Sequence, residues 1–118
     1  MATYNRPIHI ALDIDKTIAY HESSCGISRV GHPIWPMIDK VREWLSKGYE
    51  ITLFSVRFSY PSPILEDQYR MVDEFLKKTG LPKLPKTACK DKKFTHYVDD
   101  RAYHVSPNTG DISDSIDI

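Results

Sequence analysis

Residues Ile8 to Ile14 (Ile-His-Ile-Ala-Leu-Asp-Ile) form a mostly apolar, β-branched run that stops on carboxylates, Asp13 and then Asp15. A strand of a parallel sheet is covered on both faces, so it reads as a continuous apolar stretch rather than an alternating one. Two more such runs follow, Glu50 to Val56 and Thr95 to Val98, the latter again stopping on acids at Asp99 and Asp100. Leu84 to Cys89 reads as a further short strand. Between the first two runs, Ile38, Val41, Trp44 and Leu45 recur at three- and four-residue spacing. Pro36 suits the first turn of that helix and Gly48 its end. A second helical stripe, Leu65, Tyr69, Val72, Phe75 and Leu76, is stopped by Gly80 and Pro82. Thr17 to Trp35, with Ser23, Ser24, Gly26, Gly31 and Pro33, reads as loop, and the residues after Gly110 as a fraying end or an edge. The order strand, helix, strand, helix, strand, strand predicts an α/β chain with a mostly parallel central sheet. With right-handed crossovers placing helices on its faces, the expected fold is three-layer and Rossmann-like.

At 118 residues the chain suits a single domain over 1–118 and is too short for two well-cored ones. Sixteen basic residues offset sixteen acidic ones, so no net field draws the chain to nucleic acid or an anionic membrane. Lys83, Lys86, Lys90, Lys92 and Lys93 nevertheless leave room for a local basic patch. Cys25 and Cys89 fit no CxxC or zinc spacing and argue weakly for an oxidising compartment. The first residues lack the apolar core of a signal peptide, and no run approaches the roughly 18 apolar residues of a membrane helix. The expectation is a cytoplasmic protein with no membrane partner. Trp35, Trp44 and Phe75 are expected in the core, and the five histidines at the surface or in packing rather than as ligands.

The chemistry-bearing residues fall at predicted strand ends: Asp13 and Asp15 after the first, Ser55 and Arg57 at the second, lysines before the last, Asp99 and Asp100 after it. Open α/β sheets bind ligands in the crevice at the carboxyl ends of their strands, where strand order reverses. Several carboxylates at one spot repel unless a cation neutralises them or some stay protonated. Oxygen donors without neighbouring His or Cys favour a hard cation such as magnesium. Magnesium among carboxylates calls for a substrate that brings oxygen ligands of its own, phosphate being the commonest. A lysine and a hydroxyl would hold the remaining phosphate oxygens, and a carboxylate can attack phosphorus as a covalent nucleophile.

The stretch Asp13-Ile14-Asp15-Lys16-Thr17 resembles the DxDxT signature of the haloacid dehalogenase (HAD) superfamily phosphatases. Ile51 to Arg57 resembles their second motif, an apolar strand ending in Ser or Thr, and Tyr97-Val98-Asp99-Asp100-Arg101 their fourth. The resemblance covers residues 8 to about 104 with the motifs in order. It implies a HAD-like hydrolase fold and a magnesium-dependent phosphomonoester hydrolase working through an aspartyl-phosphate. In those terms Asp13 is the nucleophile and Asp15 the acid and base, while Ser55 binds a phosphate oxygen. Magnesium is held by the Asp13 carboxylate, the Asp15 carbonyl and Asp99, with Asp100 as ligand or close neighbour. The chain departs from the pattern twice. Lys16 stands where glycine is usual, and no Lys-Pro pair precedes the last strand, so Lys90, Lys92 and Lys93 compete for the phosphate-binding role, with Lys92 slightly ahead of Lys90 on spacing. The loop from Ile18 to Trp35 is too short for a cap domain, which implies a small capless member.

A small phosphorylated metabolite or a nucleotide is the implied substrate. A nucleotide or nucleic-acid-end phosphatase and a non-catalytic phosphate-binding relative are the alternatives. A signalling receiver domain uses similar residues, but its acid pair follows the first strand and its phosphoacceptor the third, an order this chain does not have.

Overall fold

The structure, a computed structural model, describes residues 6–113. Four strands, β1 (His9–Leu12), β2 (Glu50–Phe54), β3 (Lys86–Thr87) and β4 (His96–Val98), form one sheet in the order β3-β2-β1-β4. Every pairing in it is parallel. Helix α1 (Trp35–Ser46) joins β1 to β2, and α2 (Ile64–Thr79) joins β2 to β3. A short antiparallel ribbon, β5 (His104–Val105) with β6 (Ile112–Ser113), ends the described chain. That ribbon is the edge expected after Gly110; residues 114–118 of the same segment lie outside the described residues. The result is an α/β architecture compatible with a Rossmann-like fold, with no cap domain evident among the described residues.

Register decides which side chains share a face. Ile10 lies beside Ile51 and Leu12 beside Leu53, and all four are buried in one cluster with Ile38, Val41 and Trp44 of α1 and Val72, Phe75 and Leu76 of α2. Each such apolar side chain contributes about 1.5–3 kcal/mol of burial. Ala11, Thr52 and Tyr97 alternate onto the opposite face and belong to no part of that cluster. Both helices therefore pack on one face. This corrects the three-layer expectation: among the described residues no helix covers the second face. The physical reason is topological. From β1 to β2 to β3 the chain moves the same way along the sheet, so two right-handed crossovers put both helices on the same side.

The return from β3 to β4 crosses the whole sheet, and it does so as an irregular strap, Ala88 to Thr95, rather than as a helix. Phe94 of this strap meets His9 edge-on at 4.9 Å and Tyr97 at 5.7 Å, and the Tyr97 hydroxyl meets the Asp91 backbone at 3.4 Å. Arg6 adds hydrogen bonds to the Lys92 and Phe94 carbonyls. Ala11 and Thr52 are nevertheless buried on the helix-free face, Thr52 with its hydroxyl 2.8 Å from His9 Nε2.

The Ile18 to Trp35 segment is more ordered than a loop reading predicts. Ile18 and Ala19 are buried, Tyr20 N–H donates to the His32 carbonyl at 2.8 Å and Ile34 N–H to the Ile18 carbonyl at 2.8 Å. Gly31 makes this close approach possible: a Cβ there would lie 2.0 Å from the Tyr20 carbonyl oxygen. Trp35, expected in the core, is half exposed because it opens α1 ahead of the buried stripe that begins at Ile38. Trp44 and Phe75 are buried as expected. Cys25 and Cys89 are both free thiols.

Candidate functional site

The strand order reverses at β1, which has β2 on one side and β4 on the other. At the carboxyl end of these strands lies a cavity of about 380 Å³. Asp13, Asp15, Ser55, Asp99 and Asp100 all line it, drawn from three separate stretches of sequence. Lys16, His21, Arg101 and an apolar group of Ala11, Phe54, Val56, Tyr97 and Val98 complete the wall.

Asp13 directly follows β1, and its N–H continues the ladder onto the Val98 carbonyl at 3.0 Å. Three amides, of Thr17, Ile18 and Ala19, converge on the Ile14 carbonyl at 2.9–3.2 Å and fold the chain back sharply. The turn brings the Thr17 hydroxyl within 3.1 Å of Asp13 Oδ2, to which it donates. Burial pushes the Asp13 carboxyl up to about 6, helped by the nearby Asp100 carboxylate and opposed by hydrogen bonds from the Ile14 amide and Thr17.

Ser55 directly follows β2 and is buried; its hydroxyl accepts from the Arg57 amide at 3.1 Å and so caps the short turn Val56–Ser59. That turn sends the Arg57 side chain back into the protein, where it is fully buried. The guanidinium donates to both oxygens of Asp15, Nε to Oδ2 and Nη2 to Oδ1, each at 2.8 Å. It also donates to Gln68 Oε1 at 2.8 Å and to the carbonyls of Arg29 and Ile27 at 2.7 and 3.4 Å. Gln68 reaches the Ile27 carbonyl as well, at 2.9 Å. His21 stands across from Arg57, its Nδ1 3.5 Å from Asp15 Oδ1. A planar, two-pronged donor fits a carboxylate in this way and fixes its orientation.

Asp99 Oδ1 accepts from the amides of Arg101 and Ala102 at 2.8 and 2.7 Å, which holds the turn after β4. Lys90 and Lys92 do not line the cavity, nor does Lys93. All three ride on the strap, with Lys90 over the Tyr97 ring at 5.5 Å and Lys93 over Phe94 at 5.5 Å. Lys90 and Lys92, expected to bind phosphate, are thus absent from the cavity wall, although Tyr97, which lies under Lys90, belongs to it. The strap leaves β3 at the carboxyl edge of the sheet and enters β4 at the opposite edge.

Among the described residues no three His, Cys, Asp or Glu side chains form a ready-made metal cluster. Asp15 explains part of this, since Arg57 engages both its oxygens. The rest of the donor set still suits magnesium, which binds through one or two carboxylates and keeps several waters or substrate oxygens. Asp13 and Asp100 are close enough to raise the Asp13 carboxyl by repulsion, and Asp99 keeps one oxygen outside its turn.

No family model matches the chain. Nor does any curated protein match it. Its fold is similar to a solved structure described as a conserved protein from Bacteroides thetaiotaomicron, at 20% identity and a TM-score of 0.57, over 82% of this chain and 78% of that one. At that identity the likeness concerns the fold alone.

Proposed function

We propose that the protein is a magnesium-dependent phosphomonoester hydrolase of the HAD superfamily, a small capless member, with Asp13 as its nucleophile. One observation carries this: Asp13, Asp15, Ser55, Asp99 and Asp100, which belong to three motif-like stretches, line a single cavity at the reversal point of a parallel sheet. Asp13 would be phosphorylated as the ester bond to the leaving group breaks, and water would then release phosphate from the aspartyl-phosphate. Thr17 and the Ile14 amide hold the Asp13 carboxylate in place for attack. Ser55 presents its hydroxyl to a phosphate oxygen. Asp15 transfers the proton to the leaving group and from water, through the lone pairs that Arg57 leaves free. Magnesium would be held by Asp13, the Asp15 carbonyl and Asp99 or Asp100, and when bound it screens the repulsion between acids and phosphate. The cavity has room for more than a phosphate, and Phe54, Val56 and Tyr97 give its wall an apolar side. A phosphorylated small metabolite or nucleotide suits it.

A second function, phosphate binding without turnover, is favoured by one feature: both Asp15 oxygens are already engaged by a fully buried arginine. Hydrolysis of p-nitrophenyl phosphate with magnesium and with EDTA, beside Asp13→Asn, separates the two. Turnover that needs metal and falls by at least about 10³-fold in the variant is the expected result. Phosphate binding with no turnover of any ester would favour the second function.

A further inference from the structure

Resting on the phosphatase function above, we infer that Lys16, which lines the cavity where Lys90 and Lys92 do not, is the cation that anchors the substrate's phosphoryl oxygens. Four observations converge on it. Lys16 lines the acid-walled cavity between Asp13 and the loop that carries His21. Its backbone sits at φ 68°, left-handed territory that lysine enters at a cost and glycine enters freely. Its amide is committed to the Ala19 carbonyl at 2.8 Å, so the turn itself enforces that conformation. Its side chain is exposed and, among the described residues, forms no ion pair even though Asp13, Asp15, Asp99 and Asp100 share its cavity.

A turn that needs φ above zero would be more stable with glycine. Strain of this kind, about 1–3 kcal/mol per residue, persists where the surroundings impose it, and it collects at functional sites. A structural role would be better filled by the smaller residue, so the side chain accounts for the choice. An ammonium on a four-carbon stem, beginning three residues from the half-buried Asp13 and one from the proton-transferring Asp15, reaches the mouth of the cavity. There it meets a dianion that arrives among carboxylates, where each charge-assisted hydrogen bond is worth the most. Arg101 lines the same cavity from the β4 side, so the phosphate enters between two cations that flank the acids.

The test uses the whole chain with magnesium, p-nitrophenyl phosphate as substrate and inorganic phosphate as competitive inhibitor. Lys16→Gly and Lys16→Asn both accept the left-handed backbone and remove the charge. Each is expected to raise the inhibition constant for phosphate and the KM about tenfold or more, with kcat changed less. Lys16→Arg should stay within about threefold of the parent. The melting temperature of Lys16→Gly should equal or exceed the parent's, by up to about 4 °C, because strain is relieved. Phosphate affinity within twofold of the parent in both neutral variants would overturn the assignment. So would a loss confined to Lys16→Gly, since that would trace to backbone freedom rather than charge. If the unaltered protein neither turns over the ester nor binds phosphate, the function fails first and Lys16 loses its role with it.

Discussion

Asp13 and Arg57 set the character of the site at the residue scale, and they do so in opposite ways. Asp13 is an acid made uncomfortable: burial and the neighbouring Asp100 raise its pKa to about 6, above the value of 3.8 it has when solvated. Between about pH 4 and 6 the folded protein therefore holds more protons at this position than the unfolded chain. Stability falls as pH rises through that window and levels off above it. Without added metal, the melting temperature should show that decline, and Asp13→Asn should remove it while raising the melting temperature at pH 7. An identical pH profile in the two proteins would mean that Asp13 is not held as described. Arg57 is the reverse case, a fully buried cation whose donors all have acceptors. Removing one partner of a buried pair leaves the other uncompensated, a loss of about 3–5 kcal/mol, discounted here toward the lower figure because Asp15 is partly exposed. Arg57→Ala should lower the urea midpoint accordingly, with Arg57→Lys recovering only part. A change under about 1 kcal/mol would show that the array is not what holds the loop.

At the scale of elements, one segment does more than its composition suggests. Residues Ile18 to Ile34 fold back on themselves through Tyr20, Gly31 and His32, and their Ile27 and Arg29 carbonyls accept from Arg57. The segment is thus fastened both to its own stem and to the buried arginine. Gly31→Ala should release the stem, since the added carbon would sit 2.0 Å from a carbonyl oxygen. Hydrogen exchange of the Tyr20 and Ile34 amides should accelerate while that of α2 stays slow; unchanged exchange at both amides would remove Gly31 from this role. The sequence shows glycine and proline here and correctly excludes an α-helix, but it shows neither the short 3-10 turn Ser23–Cys25 nor the return. Pairing of this kind depends on which carbonyls meet in space. The same holds for Gln68, a polar side chain on the apolar stripe of α2. Its place between Leu65 and Val72 was the one signal that this stripe carries something besides packing.

For the whole molecule, periodicity and punctuation made most of the architecture legible. Apolar runs located β1, β2 and β4, and three- and four-residue spacing located α1 and α2, all within a few residues. Acids at the ends of β1 and β4 pointed to the edge where Asp13, Asp15, Asp99 and Asp100 converge. What stayed hidden is long-range. Strand order decides that both helices share a face and that the strap from β3 to β4 crosses the sheet. No local pattern encodes that order. Arg57 reads in sequence as a charge at the end of the second strand, and only the turn Val56–Ser59 sends it inward. Across these scales the structure describes two helices on one face of a parallel sheet whose reversal point holds the half-buried Asp13, the arginine-pinned Asp15 and a lysine that, among the described residues, has no ion pair. In the proposed reaction the half-buried Asp13 accepts a phosphoryl group. The most direct test of that step is rapid acid quenching of the magnesium-loaded protein with a phosphoester, followed by peptide mass spectrometry. Phosphate attached to Asp13, and no phosphopeptide from Asp13→Asn, is the predicted result. Ester turnover at full rate with phosphate on another residue, or with Asp13 never modified, would contradict it.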